Sequence, residues 1–424
     1  LGYRYYHQRE CLPLYEILMK KYGFLLIASV VYLLTSCQPK VTLTEGSWQA
    51  ILTPDTSRKD LILPFNLSMF QNKSGSWNAE ISNADEKILI TEIIETEDSV
   101  AFFLPVFEGI FQTAKTTDGL SGSYTHKAAG ASWSVPILIK PGQTERFSVP
   151  DETPKFDPSG KWKVIINPEG NNPEIQVGEF QAHGNHLLGT FLTVVGDYRF
   201  LEGKVSGDRF MLSCFDGAHA LLFTARLSDE GHLEDGIFCG GPRWRSTWRA
   251  EKDPEIELPD ASSLTFLKPG YNTIEFSFPD LEGNLVSLED EKFKNKPVII
   301  QIIGSWCPNC MDETRFFAEL DEKYNDQGLE IIALCYESKD PIASRNAIKR
   351  FKTGTNAAYT FLHAGVSNKR LASETLPMLN RILSYPTSIF IDKEGEVQKI
   401  FTGFTGPGTG EHYKQLSQEM IDLI

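Results

Sequence analysis

Trp306-Cys307-Pro308-Asn309-Cys310 is the segment that most constrains this chain. It follows a buried-strand run, Val298-Ile-Ile-Gln-Ile-Ile303, and precedes a segment from Met311 to Tyr324 with Phe316, Phe317 and Leu320 at helical spacing. Two cysteines set two residues apart where a strand hands over to a helix suit dithiol chemistry. The first turn of a helix presents unpaired N–H groups and the positive end of the helix dipole. Both favour a thiolate, so Cys307 is expected to have a lowered pKa and to act as nucleophile. Pro308 fits the first turn, where its missing N–H costs nothing. Cys310, one turn on, is expected to lie buried beneath Cys307 and to resolve a mixed disulfide. Zinc is the main rival for such a pair, but it needs two further ligands at suitable spacing. No second CxxC or His-rich segment stands nearby, so no metal is expected.

The segments that follow alternate between strand and helix. Leu329-Glu-Ile-Ile-Ala-Leu334 reads as a second buried strand, and residues 340–383 as a long polar, helical stretch. Thr387-Ser-Ile-Phe-Ile391 and Val397-Gln-Lys-Ile-Phe401 read as two strands joined by the turn Asp392-Lys-Glu-Gly395, with a final helix from Glu411 to Ile424. Such alternation predicts an α/β domain over residues 273–424. Residues 251–272, rich in Pro, Gly and charge, read as a linker.

Residues 276–424 resemble the TlpA/ResA-like branch of membrane-tethered thioredoxin-fold proteins. The resemblance rests on Phe276-Ser-Phe-Pro-Asp-Leu-Glu-Gly283, Val286-Ser-Leu288, Lys296-Pro-Val298, Gly304-Ser-Trp306 before the first cysteine, and the insertion at 340–383. It implies a thiol-disulfide oxidoreductase whose redox-active disulfide is Cys307–Cys310, with no cofactor beyond the cysteines. Tyr385-Pro386-Thr387 matches the family's cis-proline loop, which aligns the preceding residue against the substrate chain. The resemblance thus implies substrate contacts at Trp306, Tyr385 and Pro386. Glu313, three residues after Cys310, matches the acid this branch keeps near its cysteines. Its i,i+3 spacing puts it on the helix face of Cys310, where it could take or relay a thiol proton. Six residues before Cys307, where thioredoxin has a buried Asp, stands Gln301, which takes no proton. A peroxidase reading fits poorly, because the Pro-x-x-x-Thr-x-x-Cys pattern meets Ile300 and Gly304 here.

Residues 41–250 have another character. Short alternating runs, such as Lys163-Val-Ile-Ile166 and Phe191-Leu-Thr-Val-Val195, lie between Gly, Asn, Asp and Pro. This predicts an all-β sandwich or barrel. The region also repeats itself. Gly46-Ser-Trp48 resembles Gly160-Lys-Trp162; Asp98 to Gly109 resembles Asp208 to Gly217; Leu120-Ser-Gly122 resembles Leu233-Glu-Asp-Gly236; and Trp133 falls opposite Trp248, all at offsets between 108 and 115. Two β units, 41–145 and 157–250, are expected. They resemble small ligand-binding barrels in pattern only, which assigns no site. His183 and His186 lack a third ligand, Cys214 and Cys239 read as buried thiols rather than a bridge, and Cys335 reads as a core thiol.

The first 36 residues read as an upstream extension and a lipoprotein signal peptide. Lys20 and Lys21 precede the apolar run Tyr22 to Leu34, and Leu34-Thr35-Ser36-Cys37 is similar to a bacterial lipobox. Met19 is expected to be the start and Cys37 the lipidated residue. The run is short for a spanning helix, which takes about 20 residues. Gln38-Pro39-Lys40 holds no acidic run that would address the outer surface, so a periplasm-facing lipid anchor in the bacterial cell envelope is expected. The chain carries 41 basic and 56 acidic residues, a net charge of −15 with no basic cluster, which argues against nucleic acid. The expected partners are disulfides of exported proteins and a thiol-disulfide electron donor at the membrane. Reduction is the favoured direction, with oxidation or isomerisation as variants, and a binding module built on the β units as a different class of reading.

Overall fold

The computed structural model describes residues 40–58, 60–127 and 132–424. Met19 and Cys37, and with them the leader and lipidation expectations, lie outside the described residues.

The first β unit holds β1 (Gly46–Leu52), β2 (Leu63–Gln71), β3 (Trp77–Asn83), β4 (Glu86–Ile90), β5 (Glu92–Glu95), β6 (Ser99–Phe103), β7 (Gly109–Lys115), β8 (Leu120–His126) and β9 (Trp133–Pro141). The order across the sheet is β4-β3-β2-β1-β9-β8-β7-β6-β5. Only Thr91 separates β4 from β5, so one bent strand pairs with β3 through its first half and with β6 through its second. The meander thereby closes into a barrel, which removes exposed sheet edges. Trp48, Phe65, Phe102, Phe111 and Tyr124 are fully buried in its interior, which is a packed core. Each such aromatic contributes roughly 2–3 kcal/mol by burial.

The second unit repeats the plan with β10 (Gly160–Ile166), β11 (Glu174–His183), β12 (His186–Thr193), β13 (Gly196–Asp197), β14 (Leu201–Ser206), β15 (Arg209–Phe215), β16 (Ala220–Leu227), β17 (Leu233–Gly240) and β18 (Trp244–Lys252). The order is β11-β10-β18-β17-β16-β15-β14-β12-β13, and a β11–β12 pairing closes it. Register makes the repeat concrete. Gly46 and Gly160 both enter their strands at positive φ, 119° and 110°. The indoles of Trp48 and Trp162 then donate to carbonyls four residues back, Thr44 O and Pro158 O. Leu120 faces Ile139, and Leu233 faces Ala250. Between Leu233 and Gly236 the second barrel carries one extra residue, and the strand bulges at Asp235, φ 52°. One equivalence read from the sequence needs correction. Leu52 pairs with Ile137 as Ile166 pairs with Trp248, so Trp133 corresponds to Trp244 and not to Trp248. Sequence alignment favours matching tryptophans, whereas the ladder follows the hydrogen-bond register.

Cys214 and Cys239 serve different cores. The Cys214 side chain packs inside the second barrel, while Cys239 faces the first-barrel cluster across the joint. Both are free buried thiols.

The C-terminal unit has a lead-in hairpin, β19 (Ser277–Pro279) and β20 (Leu285–Ser287), then β21 (Val298–Ile303), α1 (Pro308–Tyr324), β22 (Glu330–Glu337), α2 (Pro341–Gly354), β23 (Thr360–Val366), α3 (Lys369–Thr375), β24 (Thr387–Ile391), β25 (Val397–Thr402) and α4 (Glu411–Ile421). The sheet order is β23-β22-β21-β24-β25, with β21, β22 and β23 parallel and β24 antiparallel to both of its neighbours, β21 and β25. The stretch 340–383, read from sequence as helical, contains β23 as well. Thr360-Phe-Leu-His-Ala-Gly-Val366 mixes polar and small residues with its apolar ones, which hides a strand whose pairing is decided by its neighbour β22. Central β21 is buried along its whole length, as a sheet covered on both faces requires.

The units are joined through corners. In the first barrel the β3–β4 turn meets the second barrel: Asn83 donates to Phe215 O, and the Ala84 N–H donates to Glu202. Arg146, from the connection between barrels, bonds Ser82 O and Glu202. In the second barrel the corresponding connection, between β12 and β14, meets the C-terminal unit. Val106 and Phe107 of the first barrel also enter the C-terminal core.

Candidate active site

β21 ends at Ile303, and four residues, Gly304 to Cys307, lead into α1. Cys307 is the N-cap of that helix. Its sulfur accepts the Cys310 N–H at 3.2 Å, so one of the helix's orphan donors points at the sulfur. Pro308 occupies the first turn, and Met311 N–H donates to Cys307 O. Cys307 keeps 7% of its surface exposed, while Cys310 keeps none. Burial first, then the neighbouring Cys307, push the Cys310 thiol well above its ordinary range. Cys307 is therefore the sulfur a partner can approach, and Cys310 the one held in reserve.

Tyr385–Pro386 is a cis peptide bond. Its loop lies beside the cysteines, with the Cys307 sulfur 3.5 Å from Tyr385 O. The Trp306 indole donates to Tyr336 O and meets the Tyr385 ring edge-on at 5.6 Å. Trp306, Cys307, Tyr385 and Pro386 thus converge on one face.

Glu313 sits on the Cys310 side of α1 and is completely buried. Ser388 Oγ donates to one carboxyl oxygen at 2.6 Å, and Gln301 Nε2 to the other at 2.8 Å. The Gln301 carbonyl in turn accepts from Tyr359 OH and Thr314 Oγ1. The two donated bonds favour the carboxylate, but burial outweighs them and pushes the Glu313 pKa up to about 8. A carboxyl that titrates there exchanges protons near neutral pH. Gln301 and Ser388 thus hold the Glu313 carboxyl between them.

Two further acids were not singled out from the sequence. Glu337 closes β22 and accepts the Ser305 N–H and hydroxyl at 2.7 and 2.9 Å; burial raises it to about 7. Asp312 lies on α1 directly after Met311. Burial raises it to about 7, against the pull of Arg199. Both are spaced outside the motif, and their burial comes from tertiary packing. Cys335 is a buried strand thiol whose pKa burial raises well above its ordinary range, in keeping with a core role. Among the described residues no group of His, Cys, Asp or Glu is placed to hold a metal ion. His186 bonds Glu202 instead.

Residues 258–416 match the Redoxin family. The chain is 33% identical over 156 residues to the thiol-disulfide oxidoreductase ResA of Bacillus thuringiensis subsp. konkukian, covering 37% of this chain and 78% of that protein. It is 25% identical over 137 residues to the thioredoxin-like protein YneN of Bacillus subtilis, covering 32% of this chain and 73% of the relative. Among solved structures, a thiol-disulfide oxidoreductase from Bacteroides fragilis is 18% identical, with a TM-score of 0.27, covering 34% of this chain and 99% of its own. The match lies in the unit that carries the paired cysteines, and through it the chain belongs to the ResA-like family of thiol-disulfide oxidoreductases.

Proposed function

We propose that the protein reduces disulfides in exported proteins, with Cys307 as nucleophile and Cys310 as resolving thiol. The observation that carries this is the asymmetry of the pair: an N-capping sulfur at the surface over a fully buried one. The Cys307 thiolate attacks a substrate disulfide, forming one S–S bond and releasing the other substrate sulfur as a thiolate, which takes up a proton. Cys310 then loses its proton and attacks Cys307, which releases the second substrate thiol and leaves Cys307–Cys310 oxidised. Two electrons pass to the substrate, and a thiol donor at the membrane restores the dithiol. Glu313 takes the Cys310 proton. Trp306, Tyr385 and Pro386 line the substrate side. In this reading 41–145 and 157–250 are β units, 251–272 a linker and 273–424 the redox domain. Cys37 is the lipidated anchor that holds the protein on the periplasmic face of the envelope.

The test is a Cys310→Ser variant of the full chain, which should accumulate mixed disulfides with exported proteins through Cys307. A reduction potential measured on the wild type near that of strong oxidants would reverse the direction.

A further inference from the structure

The connection between β12 and β14 is a finger. Thr193 pairs with Gly196 across a two-residue tip, Val194-Val195, and the finger ends at Arg199. Two β-branched residues are a poor choice for such a turn, where Gly, Asn and Asp are the usual occupants. Arg199 has φ 59°, a left-handed backbone unusual for Arg. Departures of this kind mark places where a local rule yields to a site.

The finger lies on the redox domain beside the cysteines. Asn309, between Cys307 and Cys310, donates to Asp197 O at 3.2 Å. Gly406 N–H donates to the Asp197 carboxylate at 2.7 Å. Val195 O lies 3.5 Å from the Ser384 hydroxyl, next to Tyr385. The opposing surfaces are moulded by glycine. A Cβ on Gly403 would fall 2.1 Å from Val195 O, and one on Gly408 would fall 2.8 Å from the Arg199 carbonyl carbon. A Cβ on Gly196 would fall 2.8 Å from the Asn309 amide nitrogen. Arg199 is fully buried and reaches Asp312 of α1 at 3.2 Å, Asp216 at 3.6 Å and Glu86 of the first barrel. All three units meet at this one guanidinium.

Next to Trp306, the residue before Cys307, lies a cleft of about 380 Å³. Phe107, Glu108 and His126 of the first barrel line it against Ser305, Trp306 and Glu337.

Resting on the oxidoreductase reading above, we infer that the finger Thr193–Arg199 is a substrate-selecting wall of the redox site. It fills the Asn309, Ser384 and Gly403 flank, so a substrate reaches Cys307 along the Trp306 cleft. With the finger on one flank, first-barrel residues beside Trp306 and only 7% of Cys307 exposed, the barrels hold a broad folded surface off the sulfur, while an extended chain carrying a disulfide can thread to it. The substrate class is disulfides in extended or unfolded segments.

The test uses the full-length protein against native insulin, a disulfide dimer of a short unstructured peptide, and oxidised glutathione. The wild type should prefer the peptide dimer to insulin by about tenfold or more in kcat/KM, and V194G/V195G should raise its insulin-to-glutathione ratio about tenfold. Insulin and peptide dimer reduced equally well by the wild type, or an unmoved ratio in the variant, overturns the wall. Failure of the wild type on all three disulfides would instead sink the oxidoreductase reading. Hydrogen exchange at the Gly406 amide gives a check that needs no variant. Slow exchange is expected of a seated finger, and exchange as fast as an open loop overturns it.

Discussion

The two barrels share a strand plan, a Gly-x-Trp entry and a ladder register, and differ where the third strand turns into the fourth. In the first barrel that turn is Ala84-Asp85; in the second it is the seven-residue connection Val194–Phe200. Both corners are docking points. The first seats on the second barrel through Asn83 and Ala84, and the second seats on the redox domain through Asp197 and Arg199. A repeated fold has kept its core and changed one corner, and that corner touches the CxxC motif.

Removing Arg199 breaks the comparison most severely. Arg199→Ala leaves Glu86, Asp216 and Asp312 without their shared cation, and loss of one partner from such a buried cluster costs about 3–5 kcal/mol. Urea unfolding should show that loss. Amide exchange should rise in both the 403–410 loop and the 83–86 turn. Arg199→Lys should recover only part of it, since an ammonium lacks the planar fork. Loss confined to the second barrel would mean that Arg199 does not join the units.

Glu313 sharpens the comparison from the other side, because it acts inside the redox domain. Its pKa, near 8, lies above its unfolded value, so the folded state holds the extra proton between about pH 4.5 and 8. The associated stability is fully present below that window and is lost as pH rises through it. Glu313→Gln should flatten this slope in thermal unfolding. It should also slow the Cys310 step by roughly a hundredfold near neutral pH, at the low end of what a placed proton acceptor supplies. The wild-type rate inflection near pH 8 should vanish with it. Rapid mixing of the preformed mixed disulfide across pH reads both, and an inflection surviving in the variant would clear Glu313 of the role.

What was legible in the sequence follows from how local each signal is. The strand–CxxC–helix junction needs one stretch of chain, and Glu313 needs only the helix period. The alternating strands and their repeat carry the barrels. Glu337 and Asp312 were silent because their burial is made by distant elements. Val194-Val195 carries no turn chemistry, so a finger there reads as the continuation of a strand. β23 was hidden for the converse reason: its pairing partner, and not its composition, makes it a strand.

The matched corners can be tested as a pair. Asn83→Ala and Asp197→Ala each remove a buried polar partner and should cost about 1–2 kcal/mol in unfolding. Their effect on exchange should differ. Asp197→Ala takes the carboxylate acceptor from the Gly406 N–H and should shift the insulin-to-glutathione ratio, while Asn83→Ala should leave that ratio alone. Equal shifts would mean that loosening any unit changes selectivity, and that the second corner has no special place.

The smallest effect concerns the register difference at β17. Asp235 is the extra residue of β17 relative to β8, exposed and at φ 52°. Asp tolerates that backbone better than most residues, and glycine adopts it without steric cost. Asp235→Gly should therefore raise stability by under about 1 kcal/mol, offset in part by the greater freedom of glycine in the unfolded chain. Gly236, its neighbour, tolerates no such freedom, because a Cβ there would fall 2.2 Å from Trp248 O. Gly236→Ala should destabilise clearly where Asp235→Gly does not, and thermal unfolding of the two variants side by side would separate a bulge held by backbone strain from one held by packing against Trp248.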